Sequence, residues 1–174
     1  MKSFFGASNN SDFLWSVLAQ LLENIKFADQ KAMFFVVINS GLLGFVYTAF
    51  NLNNEFSVVA TGIATCLALA ASVVLSIFVV LPRGGKNRRR GKGVVDLDRI
   101  AQFDSAEDFS KVYDNATEDE LLSEAKIFAF DRSVINRQKY FYLKLAIWAS
   151  AAGWVFALTF AVVFKFYEPL VSKT

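Results

Sequence analysis

Histidine is absent from this 174-residue chain, and cysteine occurs once, as Cys66 inside an apolar run. A disulfide within the chain is therefore excluded. A Cys/His zinc site has no ligand set, and no metal is expected. A Ser-His or Cys-His nucleophile pair is excluded because the base is missing. Neither a GxxxxGK(S/T) loop nor a GxGxxG turn occurs, so the familiar phosphate-cradling loops are lacking too. No internal repeat is evident. Charge is also missing over long distances. Ala32–Phe50, Phe56–Leu81 and Leu145–Phe164 contain none, over 19, 26 and 20 residues.

Those charge-free segments dominate what is present. The chain is 55% hydrophobic with a net charge of +2, and its mean hydropathy is +0.38. A spanning helix needs roughly 20 apolar residues to cross about 30 Å of hydrocarbon. All three segments qualify, and the second is long enough to tilt. None carries the polar stripe of a soluble bundle helix. The pattern predicts an all-α membrane protein with three transmembrane helices, an N-terminal amphipathic helix and a helical cytoplasmic region continuous with the last span. The expected segments are 1–31, a hairpin at 32–81 with spans at 32–50 and 56–81, a basic linker and helical region at 82–144, a third span at 145–164, and a tail at 165–174. A cleaved signal peptide is not expected, because MKSFFGASNNSDFLW lacks a continuous apolar core.

Lysine and arginine set the expected orientation. PRGGKNRRRGKG at 82–93 holds six basic residues and no acidic one. Lys26 and Lys31 precede the first span, and Arg132, Arg137, Lys139 and Lys144 precede the third. The positive-inside rule then places the N-terminus and 82–144 in the cytoplasm, with the 51–55 link and the C-terminus outside. The basic run lies directly at a span end, so topology and contact with anionic lipid explain it better than a nucleic-acid partner does.

Isolated polar and small residues mark contacts between spans. Asn39 lies near mid-span and is expected to face another helix, with Gly41 and Gly44 permitting close approach. Thr61, Thr65, Ser72 and Ser76 form a small polar stripe. Ala149, Gly153, Ala157 and Ala161 recur every four residues. Packing within one three-helix unit and packing between protomers around a pore are both open readings. Outside the spans, Ser11 or Asp12 is the expected N-cap of a helix bearing Leu14, Val17, Leu18, Leu21, Leu22 and Ile25 at helical spacing. VVDLDRIAQF reads as a short strand or a tight connector. Ser105 with Asp108, and Thr117 with Glu120, predict helices over about 106–114 and from about 118. Leu121, Leu122, Ala125, Phe128, Ile135 and Tyr142 share one face of the second. No Pro or Gly interrupts Glu118–Ala152, which predicts one rod running into the third span.

FADQKAMFFVVINSGLLGF, at 27–45, resembles the hallmark of the Pycsar transmembrane effectors, through Phe27, Ala28, Asp29, Lys31, Ala32, Asn39 and Gly41. DRIAQFDSAEDF, at 98–109, and DRSVINRQKYFYLKLAIW, at 131–148, resemble the family in the same order. The resemblance implies a bacterial anti-phage effector of the inner membrane with no cofactor. It would be encoded beside a pyrimidine cyclase and triggered by cyclic CMP or cyclic UMP to compromise that membrane. A homo-oligomer is expected from the thin polar face of the N-terminal helix. A nucleotide site needs a cation for the phosphate and a flat side chain for the base. Arg99, Arg132, Arg137 and Lys139 are the available cations; Phe103 and Tyr140, with Phe130, are the aromatics. Each also has a plainer use, in topology, in pairing with Asp131 and the acidic 104–124 stretch, or in a core. Asp29 and Lys31 are expected in an inter-helix ion pair, and Asn39 and Gly153 in span packing or gating. A constitutive scaffold or channel subunit without a nucleotide ligand is the alternative. Glu118, Asp119 and Glu120 sit in a helix-start pattern, which is capping and not enzyme chemistry.

Overall fold

The computed structural model describes residues 7–50, 56–82 and 92–171. The 51–55 link, most of the basic run and residues 172–174 lie outside the described residues. Every regular element among those described is helical: α1 (Ala7–Phe50), α2 (Phe56–Val80), α3 (Leu97–Ile100), α4 (Ala106–Asn115) and α5 (Glu118–Val171). Three of them, α1, α2 and α5, are long and apolar enough to cross a bilayer. The chain is an all-α membrane protein with three such helices.

Helix starts follow local chemistry. Ser105 has extended backbone (φ −148°, ψ 162°) and its Oγ accepts from the Asp108 N–H at 3.1 Å, which caps α4. Thr117 N–H donates to Glu120 Oε2 at 2.9 Å, and Glu120 N–H donates back to Thr117 Oγ1 at 3.3 Å. That reciprocal pair satisfies two orphan donors and starts α5. The same carboxylate holds the Thr117 hydroxyl, and the Glu120 carboxyl is lowered from its ordinary value by the Thr117 N–H first and the hydroxyl second. No Pro or Gly follows until Gly153, and α5 runs unbroken for 54 residues.

Two local expectations change, and one open alternative is decided in favour of a connector. Residues 7–10 are already helical, so neither Ser11 nor Asp12 caps α1. Nothing in Ala7–Asn10 stops a helix, and extending a formed helix by one turn is easy. VVDLDRIAQF forms no strand. The Val94 and Val95 N–H groups both donate to Glu124 Oε2, at 2.9 and 3.3 Å, and α3 follows as a single turn. With those donors engaged by a carboxylate, no ladder can form. Gly41 and Gly44 are not at a close approach, since an added Cβ on either meets nothing within 4 Å. They lie about 200° and 140° around the helix from Asn39, so they point away from its partners.

The chain divides into two units, Met1–Lys26 with Pro82–Gln138, and Phe27–Leu81 with Lys139–Thr174. In the first, Leu18, Ala125 and Ile135 are buried, while Leu22 is 47% exposed. The second, the span unit, is inverted relative to a water-soluble bundle. Met33, Val37, Phe45, Leu67, Trp148 and Leu158 are all more than half exposed, while Asn39, Thr65, Ser72, Ser76 and Ser150 are buried. Water would penalise that exterior heavily, whereas lipid accepts it and forces polar groups inward.

Candidate functional site

The span unit is built in layers. At one end Ala28 and Ala32 of α1, Val79 of α2 and Leu143 of α5 form an apolar cluster. At the other, Val46, Val58 and Phe160 form a second. Between them lies a polar layer centred on Asn39, which has no exposed surface. Asn39 Nδ2 donates to Ser72 Oγ at 2.9 Å and to Ser150 Oγ at 2.7 Å. Ser72 Oγ–H donates to the Ala146 carbonyl at 2.9 Å. With that proton committed, Ser150 is the donor across the 2.6 Å contact to Ser72. Trp154 Nε1–H donates to Asn39 Oδ1 at 3.0 Å. Both amide protons, both hydroxyl protons and the indole proton are used, so the network is closed. In hydrocarbon an unmet amide is costly, and this closure holds α1, α2 and α5 together at one level.

An ion pair lies beside the first apolar cluster. Lys139 Nζ donates to Asp29 Oδ1 at 2.5 Å, with side chains 6% and 33% exposed. The inter-helix ion pair expected at Asp29 and Lys31 engages Asp29 alone within the chain, and Lys31 is exposed. Residues 29 and 31 sit about 200° apart on one helix, so Lys31 cannot reach the Asp29 of its own chain, and Lys139 of α5 supplies the cation. Gly153 is the point where α5 and α2 approach closely. A Cβ there would lie 2.6 Å from Leu69 Cδ2 and 3.3 Å from the Leu69 backbone nitrogen. Ala157 and Ala161, on the same face, line an apolar groove of about 360 Å³ with Leu42, Val46 and Leu158.

The first unit carries its own polar cluster. Glu124 accepts from Arg99 Nη2 at 3.2 Å as well as from the two N–H groups above. Arg99 also donates to the Lys92 carbonyl at 2.9 Å. Its guanidinium lies against Gly93, where any Cβ would overlap it. Arg132 pairs with Asp96 at 3.4 Å and lies over the Phe128 ring at 4.6 Å. Phe103 packs edge-on against Phe109 at 5.5 Å, and Lys92 Nζ sits 5.3 Å above the Phe103 ring. Nearby, a cleft of about 650 Å³ is lined by Lys92, Val94, Lys111, Val112, Asn115, Glu120 and Ser123, among others.

The residues singled out from the sequence thus fall in two places. Arg99, Phe103 and Arg132 lie in the first unit, as does the exposed Arg137. Lys139, buried on Asp29, and the partly exposed Tyr140 lie in the span unit with Asn39 and Gly153. Glu124, Asp96 and the pair Ser150–Trp154 were not legible in advance. Spacing offers a signal only for the last, since Ser150 and Trp154 stand four apart and share a helix face. Among the described residues, no group of three or more His, Cys, Asp or Glu side chains is placed to hold a metal.

These features define a class: a helical membrane protein whose three spans are tied by an ion pair and a closed polar layer, with a second helical unit carrying its own charged cluster. The model of the Pycsar effector protein domain matches residues 13–165, and the chain belongs to that family. It is 28% identical over 145 residues to the Pycsar effector protein SaPycTM of Staphylococcus aureus, covering 83% of this chain and 89% of that protein. No solved structure matches it.

Proposed function

We propose that this chain is the membrane effector of a bacterial anti-phage system, triggered by cyclic CMP or cyclic UMP from a neighbouring pyrimidine cyclase. On binding the nucleotide it impairs the inner membrane, and the infected cell dies or stops growing before phage mature. The observation that carries the reading is the family domain over 13–165, which takes in both units. In this reading the N-terminus and 82–144 face the cytoplasm and the C-terminus lies outside, as the distribution of lysine and arginine supports. The first unit senses the nucleotide, with Arg99, Phe103, Arg132 and Arg137 among its cations and aromatics, and Lys139 and Tyr140 nearby in sequence. Its cleft has a volume within the usual range for small-molecule sites, roughly 300–1,000 Å³. The exposed Phe13, Trp15 and Phe130 side chains support assembly with further copies of the chain.

The test uses the full chain in detergent and in liposomes. Cyclic UMP or cyclic CMP should bind the solubilised protein, and dye should leave the liposomes only when that nucleotide is present. Leakage at the same rate without any nucleotide refutes the triggered reading and favours a constitutive channel subunit.

A further inference from the structure

The buried polar stripe of α2 is larger than packing requires. Thr65, Ser72 and Ser76 have no exposed surface. They stand seven and four residues apart, so they lie on one line facing the interior of the span unit. Thr65 Oγ1 donates to its own helix, to the Thr61 carbonyl at 2.8 Å. Ser72 is held by Asn39 and Ser150. Ser76 Oγ is buried with no hydrogen-bond partner. Alanine would fill nearly the same space without an unmet hydroxyl, and α2 uses it freely elsewhere, at 60, 64, 68, 70 and 71. An unmet hydroxyl in hydrocarbon is unfavourable, so its retention on the interior line needs another account.

The position of the stripe supplies one. From Thr65 to Ser76 it covers about 16 Å of helix, roughly half of the hydrocarbon thickness, with one apolar side chain, the buried Leu69, standing on the same line between Thr65 and Ser72. Beyond Ser76 stands Val79, in the cluster with Ala28, Ala32 and Leu143. Beyond Thr65, in the other direction, stands Val58, in the cluster with Val46 and Phe160. A polar seam closed at each end by an apolar plug is the arrangement of a path that is dry at rest. Hydrophobic constrictions of that kind gate by excluding water.

We propose that Asn39, Thr65, Ser72, Ser76 and Ser150 form the wall of a water and small-ion path inside the span unit. The path is shut at rest by the two apolar clusters and by the closed Asn39 network. This deepens the reading of the chain as a triggered membrane effector and rests on it for the trigger. The wall carries amide and hydroxyl groups and no charge, so the path discriminates little between cations and anions. When the spans separate, the hydroxyls that now bond to one another bond to water.

Cysteine accessibility tests the path in vesicles carrying the full chain. Ser72→Cys and Ser76→Cys are made in a Cys66→Ala background, with Leu67→Cys and Val74→Cys as controls on the exposed side of α2. A charged, membrane-impermeant methanethiosulfonate is the probe, with and without cyclic UMP or cyclic CMP. A conformer that is a minor state at rest and dominant after triggering raises the modification rate at 72 and 76 about tenfold or more, while the controls do not change. Nucleotide-triggered ion leak with unchanged modification at both seam positions overturns the proposal. A second arm needs no nucleotide. Asn39→Asp removes both donors to the serines and draws water into the seam, so it should leak ions unprompted. A correctly inserted Asn39→Asp protein as tight as wild type also overturns the proposal. Wild-type vesicles that ignore both nucleotides count against the proposed trigger alone, and the Asn39→Asp arm still decides the path.

Discussion

Replacing one member of the Asp29–Lys139 pair should have unequal consequences, and the inequality is set by burial of the survivor. Asp29→Asn leaves the Lys139 ammonium with a side chain 6% exposed. Uncompensated buried charge of this kind costs about 3 kcal/mol at the lower end of the usual range, and the flexible lysine stem keeps it at that end. Lys139→Met leaves the Asp29 carboxylate one third exposed, where water can replace the lost partner. The cost then falls to about 1 kcal/mol, the scale of a partly solvated pair. The two single variants should differ by about 2 kcal/mol, a factor of roughly 30 in the folding equilibrium. The double variant Asp29→Asn with Lys139→Met removes both charges and should recover most of the loss. Reversible unfolding of the full chain in mixed micelles, with denaturing detergent titrated in, yields all three values and the coupling between them. Should Lys139→Met prove as damaging as Asp29→Asn, burial of the remaining charge is not what sets the cost, and the pinning role given to this pair fails.

Three further outcomes follow from single contacts. Gly153→Ala puts a Cβ against Leu69, whose backbone cannot yield, so α2 and α5 must part slightly; overpacking of this kind should cost about 1–3 kcal/mol in the same unfolding assay. Gly93→Ala displaces the Arg99 guanidinium, the movable party, and so loosens its bond to Glu124; faster limited proteolysis around 92–100 reports it, with the spans unaffected. Glu120 titrates below its ordinary value of 4.5, so its contribution is complete above that pH and is lost as pH falls through the lower folded value. An NMR titration of the Thr117 amide should follow this step, and Thr117→Val should move it only part of the way up, since the backbone N–H, the larger cause, remains.

The spans, the N-terminal caps at Ser105 and Thr117 and the unbroken α5 could be read from the sequence because each depends on neighbours along the chain. The cost of leaving water is a sum over consecutive residues, so Ala32–Phe50 declares itself a span without reference to any other segment. A cap needs only its own first turn, and Ser105 and Thr117 each find their partner three residues on. The need for a partner at Asn39 was equally local. Which partner it takes was not. Ser72 lies 33 residues away and Ser150 lies 111 away, and the rotation of each helix decides whether they meet. The same holds for Asp29, whose expected inter-helix partner is identified as Lys139 only by the way α1 and α5 pack. Glu124 looked like any helix-surface acid until the fold brought Arg99 and two backbone donors to it. Hydrophobicity is additive along a chain, but hydrogen bonds and ion pairs depend on distance and angle. Only the packed helices supply those.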